Sequence, residues 1–131
     1  MKKIGIINQP ISSVIAAMGH LDTLVIADAG LPIPLDTRRI DLALAEGVPT
    51  FLDTLRVVLV EMQVERAIVA EEMLTVSPHV YEAIRDLLGD IPIETVTHPV
   101  FKEETHLARA VVRSGEFTPY ANIILVAGVV Y

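Results

Sequence analysis

The chain of 131 residues contains no cysteine. A disulfide framework and a C-x-x-C redox pair are thereby excluded, and the chain is compatible with a reducing compartment. Its four histidines have no thiols beside them and no H-x-x-x-H or H-E-x-x-H spacing, so no metal site is expected. Lysine is scarce, with only Lys2, Lys3 and Lys102, and the formal net charge is -7. A surface that tracks phosphates is not available on such a chain, and nucleic acid is not an expected partner. No apolar run approaches the roughly 20 residues of a membrane span. The start "MKKIGIINQP" opens like a signal peptide, but Asn8, Gln9 and Pro10 end its apolar run early, so a cytoplasmic location is expected. A glycine-rich phosphate loop and a serine nucleophile elbow are missing as well.

What is present is apolar. Hydrophobic residues make up 52% of the chain against 21% charged, enough for one core in a single domain over residues 1–131. The mean hydropathy of +0.52 is high for so short a chain. A small domain cannot hide all of that internally, which predicts apolar surface buried between subunits of a homo-oligomer.

The order of elements predicts an α/β fold: one layered α/β/α domain with a mixed, mostly parallel sheet. Pro10, Ile11, Val14, Ile15 and Met18 have helical spacing, with Gly19 as the stop. "TLVIA", residues 23–27, reads as a strand that delivers Asp28, and "AGLPIP" must be loop. "RRIDLAL" reads as a strand with Ile40, Leu42 and Leu44 on one face, and Thr50 caps a helix running to Met62. "RAIVAEE" is a strand, Ser77-Pro78 opens a helix to Leu88, and "IPIETVTHP" is a strand ending at His98. Phe101 to His106 is a short helix, and "ARAVVRSG" and "NIILVAGVV" are the last strands. There is no repeat, low-complexity tract or linker.

Ligands of α/β sheets sit beyond the strand ends. This makes Asp28 and His98 candidates, together with His20 just past a helix and with Tyr120 and Asn122 ahead of the final apolar run. His20 can interact with the last helix carbonyls as a cap, or transfer protons, since a pKa of about 6.5 lets histidine both give and take a proton near neutrality. A helix end and a carboxylate such as Asp28 would favour its charged form. Asp28 can cap the "AGLP" turn or accept bonds from sugar hydroxyls. The proline after His98 predicts a ring presented from extended chain. Tyr120 and Asn122 would share one face of an extended segment, a donor and acceptor pair able to read hydroxyls. His79 and His106 are read as structural.

"MGHLDTLVIADAGLPIP" and "GEFTPYANIIL" resemble the D-ribose pyranase (ribose mutarotase) family, and the likeness extends over essentially the whole chain. The resemblance implies exchange of the pyranose and furanose forms of D-ribose in the cytoplasm, without cofactor, by ring-shaped homo-oligomers that are decamers. It places His20 as proton donor, Asp28 and His98 as sugar-binding residues, and Tyr120, Ala121 and Asn122 in a sugar-contacting segment. The related L-fucose mutarotases share the "GH…D…DA" and "GE…Y.NIIL" skeleton but carry a bulkier residue in place of Gly30, which favours ribose. The catalytic base stays open between His98, a water and His20 itself. A sugar-binding accessory or an assembly protein would carry the same apolar terminus.

Overall fold

In the computed structural model the chain forms six strands, β1 (Thr23–Ala27), β2 (Arg39–Asp41), β3 (Val64–Ala70), β4 (Ile93–Val96), β5 (Ala110–Arg113) and β6 (Ile123–Ala127). They make one sheet in the order β2-β5-β1-β6-β3-β4. β6 runs antiparallel to β1 and β3, and every other pair is parallel. The start of β6 therefore lies among the ends of the parallel strands.

Helices α1 (Gln9–Ala17), α2 (Phe51–Glu61), α3 (Met73–Val76), α4 (Pro78–Leu88) and α5 (His98–Glu104) complete the fold, with a 3-10 turn at Thr105–Leu107. Asn8, Thr50 and Thr97 start α1, α2 and α5 by accepting the N–H of Ile11, Asp53 and Val100. Each satisfies a donor that the helix leaves free. One face of β1 presents Leu24 and Ile26 to a core that also holds Ile11 and Val14 of α1, Leu55 and Val58 of α2 and Ile84 of α4. The other presents Val25 and Ala27 to a smaller core with Leu31 and with Phe101 of α5. Because both faces are covered, the central strands are unbroken apolar runs rather than alternating ones. No helix is long and apolar enough to cross a membrane.

The structure moves several expected boundaries. α1 gives way to an extended Met18, so Gly19 is not its stop. β2 ends at Asp41; Leu44 then donates to Val48 O in a tight reversal, and its side chain is 83% exposed. β3 stops at Ala70, where Glu71 and Glu72 lead into the unexpected α3. His98 is not the end of a strand. It is the first residue of α5, because the Thr97 cap opens a helix there and Pro99, in the first turn, needs no N–H partner.

One position ties the loop after β5 to the loop after its neighbour β2. The Gly115 N–H donates to Pro49 O at 2.8 Å, while its own carbonyl accepts from Gly47 N at 2.7 Å. A Cβ at Gly115 would fall 2.5 Å from the carbonyl oxygens of Ala45 and Val48, both rigid backbone. Gly115→Ala is expected to lower stability by about 1–3 kcal/mol through overpacking. Gly19→Ala, whose methyl would meet nothing nearer than Asp22 Oδ2 at 3.8 Å, is expected to stay within about 0.5 kcal/mol of the unmodified chain in the same urea unfolding series.

Candidate functional site

Asp28 follows β1 directly, and Asn122 precedes β6 directly, so the antiparallel pairing of these strands sets them side by side. Asn122 is buried and spends both ends of its amide on Asp28. Its Oδ1 accepts the Asp28 N–H at 2.8 Å and its Nδ2 donates to Asp28 Oδ2 at 3.0 Å. The other carboxylate oxygen, Oδ1, accepts the N–H groups of Gly30 at 2.9 Å and Leu31 at 2.8 Å. Asp28 is thus both turn cap and rim carboxylate. Burial pushes its carboxyl above the ordinary value, although these three donors and His98 pull in the opposite direction.

His98 joins the rim from the start of α5. Its N–H donates to both Glu72 carboxylate oxygens at 3.0 Å, and this bond is the main reason the Glu72 carboxyl is held below its usual value. The ring stands edge-on to Tyr120, with centroids 5.0 Å apart, and lies nearly parallel to Phe101 at 6.4 Å. Nδ1 is buried with no hydrogen-bond partner.

Tyr120 has φ of 61°, and its carbonyl accepts the Asn122 N–H at 2.8 Å, so residues 120–122 form a tight turn. They are not extended, and Tyr120 and Asn122 do not share a face: the phenol borders the cavity, while the amide is committed to Asp28. Ala121 is fully buried in the larger core, backbone included, and its N–H donates to Thr118 O at 3.3 Å, so it presents no atom to the cavity. A non-glycine residue in the left-handed region is strained, and such strain gathers at functional sites.

Asp28, His98 and Tyr120 line a cavity of about 540 Å³ that also takes in Arg113, Glu116 and Phe117, while Asn122 and Ala121 lie behind its wall. That volume suits a small ligand. Arg113, the last residue of β5, donates through Nε to Ala29 O at 3.0 Å and pairs with Asp41 at 3.2 Å, which pins the loop after Asp28. Glu116 accepts the Phe51 N–H at 3.2 Å and the Thr118 hydroxyl at 3.0 Å, while its carbonyl accepts Ala29 N–H at 2.8 Å. Arg113, Glu116 and Glu72 were not among the expected residues. Applying the strand-end rule to every strand finds Arg113 after "AVV" and Glu72 after "IVAE". No group of three or more His, Asp and Glu is arranged to hold a metal ion.

His20 is elsewhere. It precedes β1, at the opposite end of the strand from Asp28, and five residues at about 3.3 Å each put roughly 17 Å between the two ends. Its carboxylate partner is Glu65 rather than Asp28, with Nε2 and Oε2 2.8 Å apart, and it does not cap α1. The loop that carries it is fixed: Gly19 N–H donates to Asp22 Oδ2 at 2.8 Å, Leu21 N–H to Ala127 O at 2.9 Å, and Leu21 has φ of 70°. The Gly19 N–H and then Arg109, 3.0 Å away, keep the Asp22 carboxyl below its ordinary value. One chain therefore assembles Asp28, His98, Tyr120 and Asn122, and leaves His20 apart from them.

The chain is 54% identical over 131 residues to the D-ribose pyranase of Chloroflexus aggregans, with both chains covered in full. Among solved structures, Bacillus subtilis RbsD complexed with D-ribose matches with a TM-score of 0.98 at 46% identity over the whole of both chains. The fucose mutarotase of Streptococcus pneumoniae in complex with L-fucose matches with a TM-score of 0.83 at 26% identity, again over both chains in full. The family model for RbsD / FucU transport proteins covers residues 1–130, and its reach across both ends of the sheet makes this chain a member of the RbsD / FucU transport protein family.

Proposed function

We propose that this chain is a D-ribose pyranase, an isomerase that exchanges the pyranose and furanose rings of D-ribose through the open aldehyde. The observation that carries the ribose assignment is the full-length match, at a TM-score of 0.98, to a structure holding D-ribose. The L-fucose complex is a more distant relative in both shape and sequence.

Ring opening moves two protons. The anomeric hydroxyl loses one as C1=O forms, and the bond from C1 to the ring oxygen breaks with its electron pair going to that oxygen, which takes up the other. A positioned acid or base is worth about 10²–10⁴ in such a step. In the proposed arrangement His20 protonates the ring oxygen, while the Asp28 carboxylate, His98 and the Tyr120 phenol hold the hydroxyls. Asn122 acts by aiming Asp28. No cofactor is required, since only protons move.

With about 17 Å between the ends of β1, His20 reaches a sugar at Asp28 only from a second copy of the chain. The apolar surface supports that reading: Ile4, Ile7, Val130 and Tyr131 are each at least 81% exposed. A ring-shaped homo-oligomer, a decamer as in the mutarotases this sequence resembles, would cover such residues and complete each site across a contact. The same resemblance supports a cytoplasmic location.

NMR saturation transfer between ribose pyranose and furanose signals tests the assignment, with L-fucose as control. The wild-type protein is expected to speed ribose exchange, and His20→Ala to lose about 10²–10⁴ of that rate while still binding ribose. Exchange unaffected by His20→Ala would exclude His20 as the acid. Mixing His20→Ala with Asp28→Ala after dissociation and reassembly is expected to restore part of the rate; a mixture no faster than its parents would reject a site shared between copies.

The pH dependence follows from Asp28. Sugar hydroxyls donate to the ionised carboxylate, so protonation competes with ribose, and the raised pKa brings that competition on at a higher pH than 3.8, the ordinary value. Ribose KM is expected to rise as pH falls through this window, with kcat measured at saturation as the comparison. A KM that stays flat until ordinary carboxylate values are reached would contradict the role given to Asp28.

A further inference from the structure

We propose that Glu65 is the positioning residue of His20: its carboxylate accepts the Nε2–H and so leaves Nδ1 as the nitrogen that exchanges a proton with the sugar. The inference rests on the reading of His20 as the acid. Its grounds are local and independent of the cavity at Asp28.

Three irregularities of the backbone converge on this pair. The first is a bulge in β3. Val64 is opposite Ala127 and Arg66 is opposite Val126, so Glu65 is an extra residue against one step of β6. Bulges redirect a side chain that regular pleating would send elsewhere. The second is Leu21, which holds the residue after His20 in the left-handed region, with its N–H fastened to Ala127 O, in the same stretch of β6 that faces the bulge. The third is Gly128, where a Cβ would lie 3.2 Å from Glu65 Cβ and 3.4 Å from Glu65 N. A side chain there would press on the bulge. The result is an imidazole and a carboxylate 2.8 Å apart at a half-exposed surface, with side chains 50% and 37% exposed.

A bare surface ion pair needs no bulge, strained leucine or close glycine, and contributes little to stability. A proton donor needs its ring held in one tautomer and one orientation, which a carboxylate on the far nitrogen supplies. When the ring is charged both nitrogens carry protons; the Nε2 proton stays on the bond to Glu65 and the Nδ1 proton goes to the ring oxygen. The neutral ring then takes a proton back at Nδ1 in the reverse step, so no other reactant is consumed.

Nitrogen-15 NMR of the imidazoles, with His20 assigned by its loss in His20→Gln, reads the tautomer directly in the wild-type protein. The neutral ring is expected to be in the Nε2–H form. Glu65→Ala is expected to give a mixture of tautomers and a fall in kcat of roughly tenfold or more, part of what a positioned acid provides, with ribose KM within about twofold. Glu65→Gln, whose amide oxygen still accepts the Nε2–H, is expected to restore the tautomer and part of kcat. A wild-type ring in the Nδ1–H form, or a Glu65→Ala protein with unchanged tautomer and kcat, overturns the inference, and the wild-type spectrum decides even if Glu65→Ala fails to assemble. Loss of kcat in His20→Ala with none in Glu65→Ala sinks this proposal alone, whereas full activity in His20→Ala sinks the assignment of His20 on which it stands.

Discussion

The pair of hydrogen bonds between Asn122 and Asp28 is the constraint on which the site depends. It joins the end of β1 to the beginning of its antiparallel neighbour β6, at the rim where the parallel strands end. Asn122 Oδ1 continues the ladder past its last backbone rung by taking the Asp28 N–H, and Nδ2 then holds the carboxylate. A buried amide with both ends satisfied has one orientation, and so does the acid it holds. The Asx turn on Gly30 and Leu31, the Arg113 bond to Ala29 O and the Glu116 bond to Ala29 N–H all secure the same few residues from the other side. The carboxylate is fixed before any ligand arrives. That preorganisation lowers the ordering cost of binding a ligand that donates to the carboxylate.

Asp28 also shows why its setting is partly unfavourable. Burial outweighs three N–H donors and a neighbouring histidine, so the charged form is held at a cost. In the sugar-binding role proposed for Asp28 that cost has a use: an under-satisfied carboxylate gains more from a new donor than one already saturated by protein groups. His98 follows the same logic, with a buried Nδ1 left unpaired while Glu72 grips the backbone N–H instead of the ring. The strained φ of Tyr120 completes a rim built to hold geometry at some expense in stability.

Much of this was legible in the sequence, and the parts that were not have physical causes. Pro10, Thr50 and Gly89 carry local chemistry, so α1, α2 and α4 could be placed from propensity and capping alone. The runs 23–27 and 123–127 read as strands because both faces are covered, leaving no polar alternation to confuse them. His98 misled because the residue before a proline usually avoids helix, yet the Thr97 cap and a first-turn proline form a helix start together. Tyr120 and Asn122 misled because period-two reasoning presumes extended backbone, and a left-handed residue breaks it. The separation of His20 from Asp28 was not visible at all. It follows from strand direction, a property of the sheet and not of any window of sequence.

Gly30 shows the limit between what backbone requires and what a ligand requires. Gly5, Gly47 and Gly89 have positive φ, which explains glycine there on conformational grounds. Gly30 does not, and an added Cβ would meet nothing nearer than Asp28 Oδ1 at 3.8 Å, an ordinary contact. The fold would accept a side chain at this position. Such a side chain would stand beside the carboxylate and take up room in the cavity. What glycine provides at position 30 is therefore space beside the Asp28 carboxylate, and not a backbone conformation that other residues avoid.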